Sequence, residues 1–207
     1  MNRMQQIYDW IEKEKPGTIL EVGTWNGVNA MHMIKSAGQG FHPKYIGFDI
    51  WDEGDEALDE IEYNAKKRVT EEDVAKLLKD FDIELHKGNT RHTLTEYTEG
   101  KEKFVDMAFI DGGHSKGTIK SDLLNVIKIM KPTGTIFLDD YYFFCNTPHV
   151  GAQTVMATVN FPYKVLTKMD KANEGSLIKL VQIEVRDIPT TSWEMKEEES
   201  WKFSPAA

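Results

Sequence analysis

Residues 18–27 read T-I-L-E-V-G-T-W-N-G, a short apolar run followed by a turn with two glycines. This order is typical of a strand that passes through a tight turn into a helix. Gly23 and Gly27 carry no Cβ, so the backbone of the turn can approach a bound ligand closely. A second run, Y-I-G-F-D, ends at Asp49, whose carboxylate can accept hydrogen bonds from a ribose diol. Together the two runs predict a nucleoside-binding site.

The spacing of the turn argues against a dinucleotide. A dinucleotide-binding turn reads G-x-G-x-x-G and points a helix N-terminus at the pyrophosphate. Here Trp25 and Val28 occupy the second and third glycine positions. In addition, Glu21 stands two residues before the first glycine, and its negative charge suits a pyrophosphate poorly. The dinucleotide interpretation therefore fails.

Acidic residues follow two further strand-like runs. Asp111 begins D-G-G-H-S, and Asp139 and Asp140 begin D-D-Y-Y. Ligands of open α/β sheets bind outside the carboxyl ends of the strands, so we expect these acids to converge on one cleft with His114. Three carboxylates this close repel each other unless a cation offsets their charge, and oxygen ligands favour Mg²⁺, Mn²⁺ or Ca²⁺. The pattern predicts a divalent metal site, with helix capping or bonds to backbone amides as the alternative roles.

His114 has two open interpretations. An imidazole can accept a proton at neutral pH, so His114 could be a general base. Alternatively, it belongs to the N-terminal region of the helix that follows. The sequence does not decide between the two.

These residues are positioned by strand-like and helix-like segments that alternate along the chain, which is typical of a parallel sheet with crossover helices. Strands are predicted at 18–22, 45–49, 83–87, 104–111, 135–139, 163–168 and 177–185. Helices are predicted at 2–14, 27–37, 116–130 and 150–160.

A helical insertion over about residues 52–81 separates the second and third strands. It is longer than one crossover helix needs, and 53–68 and 70–81 are acidic and helix-prone. The insertion is either a lid over the site or a solvated pair of surface helices, and we favour the surface pair.

Composition narrows the class of protein. With 207 residues and 40% hydrophobic content, the chain fits one large domain over residues 1–186 and a polar tail over 187–207. A net charge of −9 argues against general nucleic-acid binding, which needs a basic face. A single cysteine, Cys145, excludes an internal disulfide and fits a reducing compartment. We see no secretory leader or membrane span, and we expect a cytoplasmic protein.

The turn E-x-G-x-x-x-G with the acid at Asp49 resembles motif I of the class I S-adenosylmethionine-dependent methyltransferases. The downstream pattern, D-G-G-H-S, then Asp122, then L-D-D-Y, resembles the metal-dependent small-molecule O-methyltransferases, in the branch of the macrocin O-methyltransferases and cephalosporin hydroxylase-like proteins. The resemblance covers about residues 17–145. It implies a Rossmann-like, doubly wound, seven-stranded and mostly parallel sheet of order 3-2-1-4-5-7-6, with the last strand antiparallel and helices on both faces. Trp25 departs from the family, which has a small residue there.

The resemblance also implies the residues that contact S-adenosylmethionine. They are Glu21, Gly23, Thr24, Trp25 and Gly27 in the first turn, Asp49 at the ribose, Ile50 and Trp51 beside the adenine, Asn89 at the adenine edge, and Asp111. Asn89 is equally well placed to cap the next helix. The metal ligands carried over from the family are Asp111, Asp139 and Asp140, with Mg²⁺ as the expected ion.

The predicted function is transfer of a methyl group from S-adenosylmethionine to a hydroxyl of a small molecule, helped by a divalent metal. Asp111 and His114 are the predicted catalytic residues. Two alternatives stay open: a hydroxylase-like metalloenzyme on the same fold, or a non-catalytic cofactor-binding module that acts through a partner. We expect no nucleic-acid or membrane partner, and a homodimer is compatible with the sequence.

Overall fold

The computed structural model describes residues 2–62, 67–144, 151–171 and 175–189. Seven strands lie in one sheet, namely β1 (Thr18–Val22), β2 (Lys44–Asp49), β3 (Ile83–Lys87), β4 (Val105–Ile110), β5 (Met130–Phe144), β6 (Lys164–Lys171) and β7 (Leu177–Glu184). Their order is β3-β2-β1-β4-β5-β7-β6. The first five strands pair in parallel, and β7 pairs antiparallel with both β5 and β6. The predicted fold class and strand order are therefore confirmed.

Helices connect these strands. They are α1 (Gln5–Glu14), α2 (Val28–Ser36), α3 (Glu56–Glu62), α4 (Glu71–Leu77), α5 (Thr90–Thr98), α6 (Lys116–Ile129) and α7 (Ala152–Met156), with 3-10 turns at Trp51–Glu53 and Val185–Asp187. Helices α5 and α6 begin at side-chain caps, because Asn89 accepts a hydrogen bond from the Arg91 amide and Ser115 accepts one from the Thr118 amide. Both helices therefore start next to the carboxyl ends of β3 and β4.

Strand β5 and helix α7 differ most from their predicted bounds. Strand β5 begins at Met130, which pairs with Val105, and not at residue 135. A register shift between Val105 and Met107 accommodates the extra residues. Helix α7 is shorter than the predicted 150–160, and Phe161 beyond it is buried in the core.

The core lies on both faces of the sheet because successive residues of a strand point to opposite sides. Ile19 belongs to a cluster under α1, α2 and α4. Its neighbour Leu20 belongs to the cluster under α5, α6 and α7. With both faces covered, the polar edge at the carboxyl ends of the parallel strands is left for a ligand.

Within the described ranges, no helix has the length and apolar character needed to cross a membrane. The predicted tail lies outside the described residues from residue 190 onward. The division into a domain over 1–186 and a tail stays a prediction.

Candidate active site

A pocket opens at the carboxyl ends of β1, β2, β3 and β4. The space between its walls, counted out to the open mouth, is about 810 Å³. Gly23, Asp49, Asn89 and Asp111 line it, and each stands at the end of one of these four strands or within two residues after it. The parallel sheet therefore brings together residues that are far apart in the chain.

Asp49 is fixed by two backbone amides. Its Oδ2 accepts a hydrogen bond of 2.7 Å from the Trp25 amide, and its Oδ1 accepts one of 2.7 Å from the Trp51 amide. Trp25 and Trp51 both have φ of +45°, which is unusual for bulky residues and typical of functional turns. The Trp51 indole Nε1 donates to the Trp25 carbonyl at 2.9 Å, so the two turns are locked to each other. Each carboxylate oxygen of Asp49 keeps a lone pair for a ligand.

The two glycines of the first turn make room for protein atoms. A Cβ on Gly23, at φ +90°, would lie 2.0 Å from the Asp111 carbonyl oxygen. A Cβ on Gly27, at φ +72°, would lie 2.9 Å from the Val74 side chain. Gly23 lines the pocket and Gly27 does not. Close packing within the protein is therefore one reason that both positions require glycine.

Glu21 lies beneath the first turn, 1% exposed. Its Oε1 accepts a hydrogen bond of 2.7 Å from Asn29, and its Oε2 accepts one from the Tyr45 hydroxyl. Burial and the negative charge of Glu21 raise the pKa of Tyr45 well above its usual value. The Thr24 hydroxyl lies 3.0 Å from the same tyrosine oxygen. Neither Glu21 nor Thr24 lines the pocket, and their contact with a cofactor stays a prediction.

The neighbours Asp139 and Asp140 have different partners, at a place where β5 is irregular and Asp140 has φ of +53°. Asp139 accepts hydrogen bonds from Arg3 Nε at 2.7 Å and from Arg3 Nη2 at 2.6 Å. Burial and the adjacent Asp140 raise the pKa of Asp139, while Arg3 acts in the opposite direction. Arg3 also donates to Asp170 through Nη1 and its backbone amide, both at 3.0 Å. Arg3 therefore ties the start of the chain to β5 and β6.

Asp140 instead faces His114 and Asp111. The His114 Nε2 lies 2.8 Å from Asp140 Oδ2. One ligand atom from each of Asp111, His114 and Asp140 lies within 4.8 Å of the others. We call these three residues the Asp-His-Asp cluster. Its atoms suit either a divalent cation or a carboxylate-oriented imidazole base.

Residues 20–141 match a family model described as a methyltransferase domain. This match spans more than half of the chain. The chain belongs to this methyltransferase family. The prediction of an S-adenosylmethionine-dependent methyltransferase enzyme with the class I fold is thereby confirmed. No curated protein sequence matches the chain significantly.

Solved methyltransferase structures share the fold. The O-methyltransferase TomG from Streptomyces achromogenes, solved with SAM, has 15% identity and a TM-score of 0.59, over 88% of this chain and 79% of TomG. An O-methyltransferase from Bacillus cereus, solved with SAH, has 13% identity and a TM-score of 0.58, over 88% and 80%. The N-methyltransferase NodS from Bradyrhizobium japonicum has 12% identity and a TM-score of 0.54, over 87% and 93%. Because O- and N-methyltransferases both appear, the fold alone does not select the acceptor atom.

Most of the predicted cofactor contacts reach the pocket of the methyltransferase. Seven of the ten predicted cofactor contacts line the pocket, namely Gly23, Trp25, Asp49, Ile50, Trp51, Asn89 and Asp111. Asn89 also caps α5 through a hydrogen bond of 3.0 Å from the Arg91 amide, so both of its predicted roles are compatible with the structure. Among the predicted metal ligands, Asp111 and Asp140 lie in the Asp-His-Asp cluster, and Asp139 is held by Arg3 instead.

The helical insertion supplies pocket residues that the sequence did not identify. Leu58, Asp59 and Glu62 of α3 line the pocket, and so do Lys67, Arg68 and Val69 after it. The Trp25 indole Nε1 donates to the Lys67 carbonyl at 2.9 Å. These contacts favour the lid interpretation of this part over a solvated surface pair. In the sequence, the acidic and helix-prone character of residues 53–68 marks the insertion but does not indicate which of its residues face the pocket.

Proposed function

We propose that this methyltransferase transfers the methyl group of S-adenosylmethionine to a hydroxyl of a small molecule. The observation that carries the proposal is the position of Asp111, which lines the pocket and also belongs to the Asp-His-Asp cluster. A ligand in the pocket and a proton-accepting group therefore meet at one residue.

Asp49 supports a nucleoside in the pocket. Its carboxylate is oriented by two backbone amides, so little rotational freedom is lost when it accepts hydrogen bonds from a ribose diol. Hydrogen bonds to a charged acceptor are worth roughly 1.5–3 kcal/mol each. Trp51 is 2% exposed and shapes the wall beside Asp49.

The reaction is a displacement at the methyl carbon. A bond forms between the acceptor oxygen and the methyl carbon as the carbon–sulfur bond breaks, and the sulfur leaves with the electron pair as a neutral thioether. The hydroxyl must lose its proton, so a base near the acceptor accelerates the transfer. Aligning the two reactants supplies on the order of 7–11 kcal/mol of the barrier in favourable cases.

His114 is the proposed base. Its Nε2–H donates to Asp140, which fixes the ring and leaves Nδ1 as the atom that accepts a proton. General base catalysis of this kind contributes about 10²–10⁴-fold to the rate.

The Asp-His-Asp cluster also fits a divalent metal. Two carboxylates and one imidazole within 4.8 Å of one another are a suitable donor set for Mg²⁺ or Mn²⁺. Asp111, His114 and Asp140 would hold the ion, and a bound ion would lower the pKa of an acceptor hydroxyl. The set contains one histidine, which differs from the two-histidine site of non-haem iron oxygenases and disfavours the hydroxylase-like alternative.

The experiment is a transfer assay over a panel of hydroxylated and amino acceptors, with formation of S-adenosylhomocysteine as the readout. We expect transfer to a hydroxyl, and His114→Ala should reduce kcat about 10²-fold or more. His92→Ala, an exposed histidine of α5, is the control. Transfer that favours amines, or an unaffected His114→Ala variant, would contradict the proposal. Parallel assays with Mg²⁺, Mn²⁺ or a chelator test the metal separately.

A further inference from the structure

Glu62, the last residue of α3, reaches across to the start of α6. Its Oε2 accepts a hydrogen bond of 2.9 Å from the Ser115 amide. Its Oε1 accepts hydrogen bonds from the Thr118 hydroxyl at 2.6 Å and from the Ser115 hydroxyl at 3.0 Å. The Glu62 carbonyl also accepts a hydrogen bond of 3.4 Å from the His114 amide. One residue of the insertion thus makes four contacts with residues 114–118.

The surroundings of Glu62 hold its side chain in one place. The residue is 9% exposed, and its side chain stands at the N-terminus of a 14-residue helix. The first amides of a helix have no partner within the helix, so a side chain with acceptor oxygens suits this position. A buried carboxylate with three hydrogen bonds fixes its partners more firmly than a solvated one.

Gly113 makes the contact possible. A Cβ at this position would lie 2.4 Å from Glu62 Oε2 and 2.9 Å from the Thr118 methyl carbon. Any side chain on Gly113 would therefore push Glu62 away from Ser115. The second glycine of D-G-G-H-S is explained by the space that Glu62 occupies.

Helix α3, which ends at Glu62, also reaches the ligand pocket. Leu58 and Asp59, one turn earlier in α3, line the pocket with Glu62. The segment that Glu62 holds, residues 114–118, begins with His114 and is separated from Asp111 by two residues, and both His114 and Asp111 belong to the Asp-His-Asp cluster. Helix α3 therefore connects the wall of the nucleoside pocket to the proposed proton-accepting group.

We propose that Glu62 is a positioning residue that couples ligand binding in the pocket to the placement of Asp111 and His114. The inference rests on the proposed function, and it assigns a catalytic consequence to a contact made by the helical insertion. Binding in the pocket restrains α3, and Glu62 passes that restraint to the loop that carries His114. Loss of the carboxylate weakens both binding and transfer.

The test compares Glu62→Ala, Glu62→Gln, Ser115→Ala and the double variant Glu62→Ala/Ser115→Ala. Glu60→Ala, an exposed glutamate of the same helix, is the control. Isothermal titration gives the Kd for S-adenosylhomocysteine, and steady-state assays give kcat and KM for the acceptor. We expect Glu62→Ala to raise Kd and to lower kcat, each about tenfold, and Glu62→Gln to recover part of both. The double variant should be no worse than Glu62→Ala, because Ser115→Ala removes one of the hydrogen bonds that Glu62→Ala already removes.

Two results would overturn the inference. One is a Glu62→Ala variant that melts earlier but keeps kcat and Kd, which is the result for a purely structural contact. The other is additive effects of Glu62→Ala and Ser115→Ala. If the wild-type protein binds no S-adenosylhomocysteine, the proposed function fails instead. Hydrogen exchange at the His114 and Ser115 amides of the unliganded protein then still tests the contact, because Glu62→Ala should accelerate both.

Discussion

The guanidinium of Arg3 donates two hydrogen bonds, 2.7 Å and 2.6 Å long, to the carboxylate of Asp139, which lies 136 positions away in the sequence. The Asp139 side chain is 2% exposed. A buried carboxylate needs such a partner, because an unpaired charge in the interior is strongly unfavourable. The pair leaves Asp140 as the acid of β5 that faces His114, at 2.8 Å. The two adjacent aspartates therefore have different partners, and only Asp140 contacts the proposed base.

Replacing Arg3 should destabilise the protein. Arg3→Ala leaves the Asp139 carboxylate buried without its partner, so the free energy of unfolding should fall by about 3 kcal/mol, the low end for a broken buried pair because Arg3 is partly exposed. Urea denaturation measures the change. The double variant Arg3→Ala/Asp139→Ala should recover part of the loss, and Lys13→Ala, in an exposed pair with Glu14, should have little effect. A stable Arg3→Ala variant would show that Asp139 does not need Arg3.

The two aspartates should differ in their effect on catalysis. Asp140→Asn removes the charge that orients His114, so kcat should fall about 10²-fold or more while the Kd for S-adenosylmethionine changes little. Asp139→Asn removes the partner of Arg3, so its main effect should be on the melting temperature. Steady-state kinetics and thermal unfolding on both variants separate the two roles. The opposite pattern, with kcat lost mainly in Asp139→Asn, would restore Asp139 as the functional acid.

Asp122 should make stability depend on pH. Burial raises its pKa to about 7, with a further rise from Glu62 and opposition from Thr90 and Arg91. Among the described residues, no donor lies close enough and well enough aligned to form a normal hydrogen bond with either carboxylate oxygen, so the effect of Thr90 on the pKa is that of a long contact. The folded state keeps a proton that the unfolded chain loses near pH 4, so this residue's contribution falls as pH rises from about 4 to 7.

Asp122→Asn removes that titration. The difference in free energy of unfolding, Asp122→Asn minus wild type, should increase by about 1–3 kcal/mol from about pH 5.5 to about pH 8, because only the wild type loses the contribution of Asp122. Urea denaturation at both pH values measures the difference. Asp80→Asn, at an exposed position, serves as the matched control. A constant difference between Asp122→Asn and wild type would mean that Asp122 does not titrate in this range.

The sheet and the pocket could be predicted because they depend on local pattern. Apolar runs that end in Asp49 and Asp111 mark buried parallel strands, and parallel strands place their carboxyl ends at one edge. The strand order came from the family resemblance, because apolar runs alone do not fix which strands are neighbours.

The contacts of individual side chains could not be predicted in the same way. Glu21 has the spacing of a cofactor ligand, but that spacing does not reveal that its carboxylate accepts hydrogen bonds from Asn29 and Tyr45. Glu62 is one acid among many in an acidic insertion, and its contact with Ser115 spans 53 positions. Such pairings depend on which faces of distant elements meet, and one sequence does not contain that information.

The central claim is that the pocket binds S-adenosylmethionine through Asp49. Isothermal titration of S-adenosylmethionine, and separately of the dinucleotide NAD⁺, into wild-type protein and into Asp49→Ala tests it. The control is Asp52→Ala, an acid paired with Lys87 that does not line the pocket. We predict binding of S-adenosylmethionine alone to wild type and to the control, and at least about tenfold weaker binding to Asp49→Ala. If wild-type protein does not bind S-adenosylmethionine at millimolar concentration, or binds NAD⁺ instead, the pocket is not an S-adenosylmethionine site.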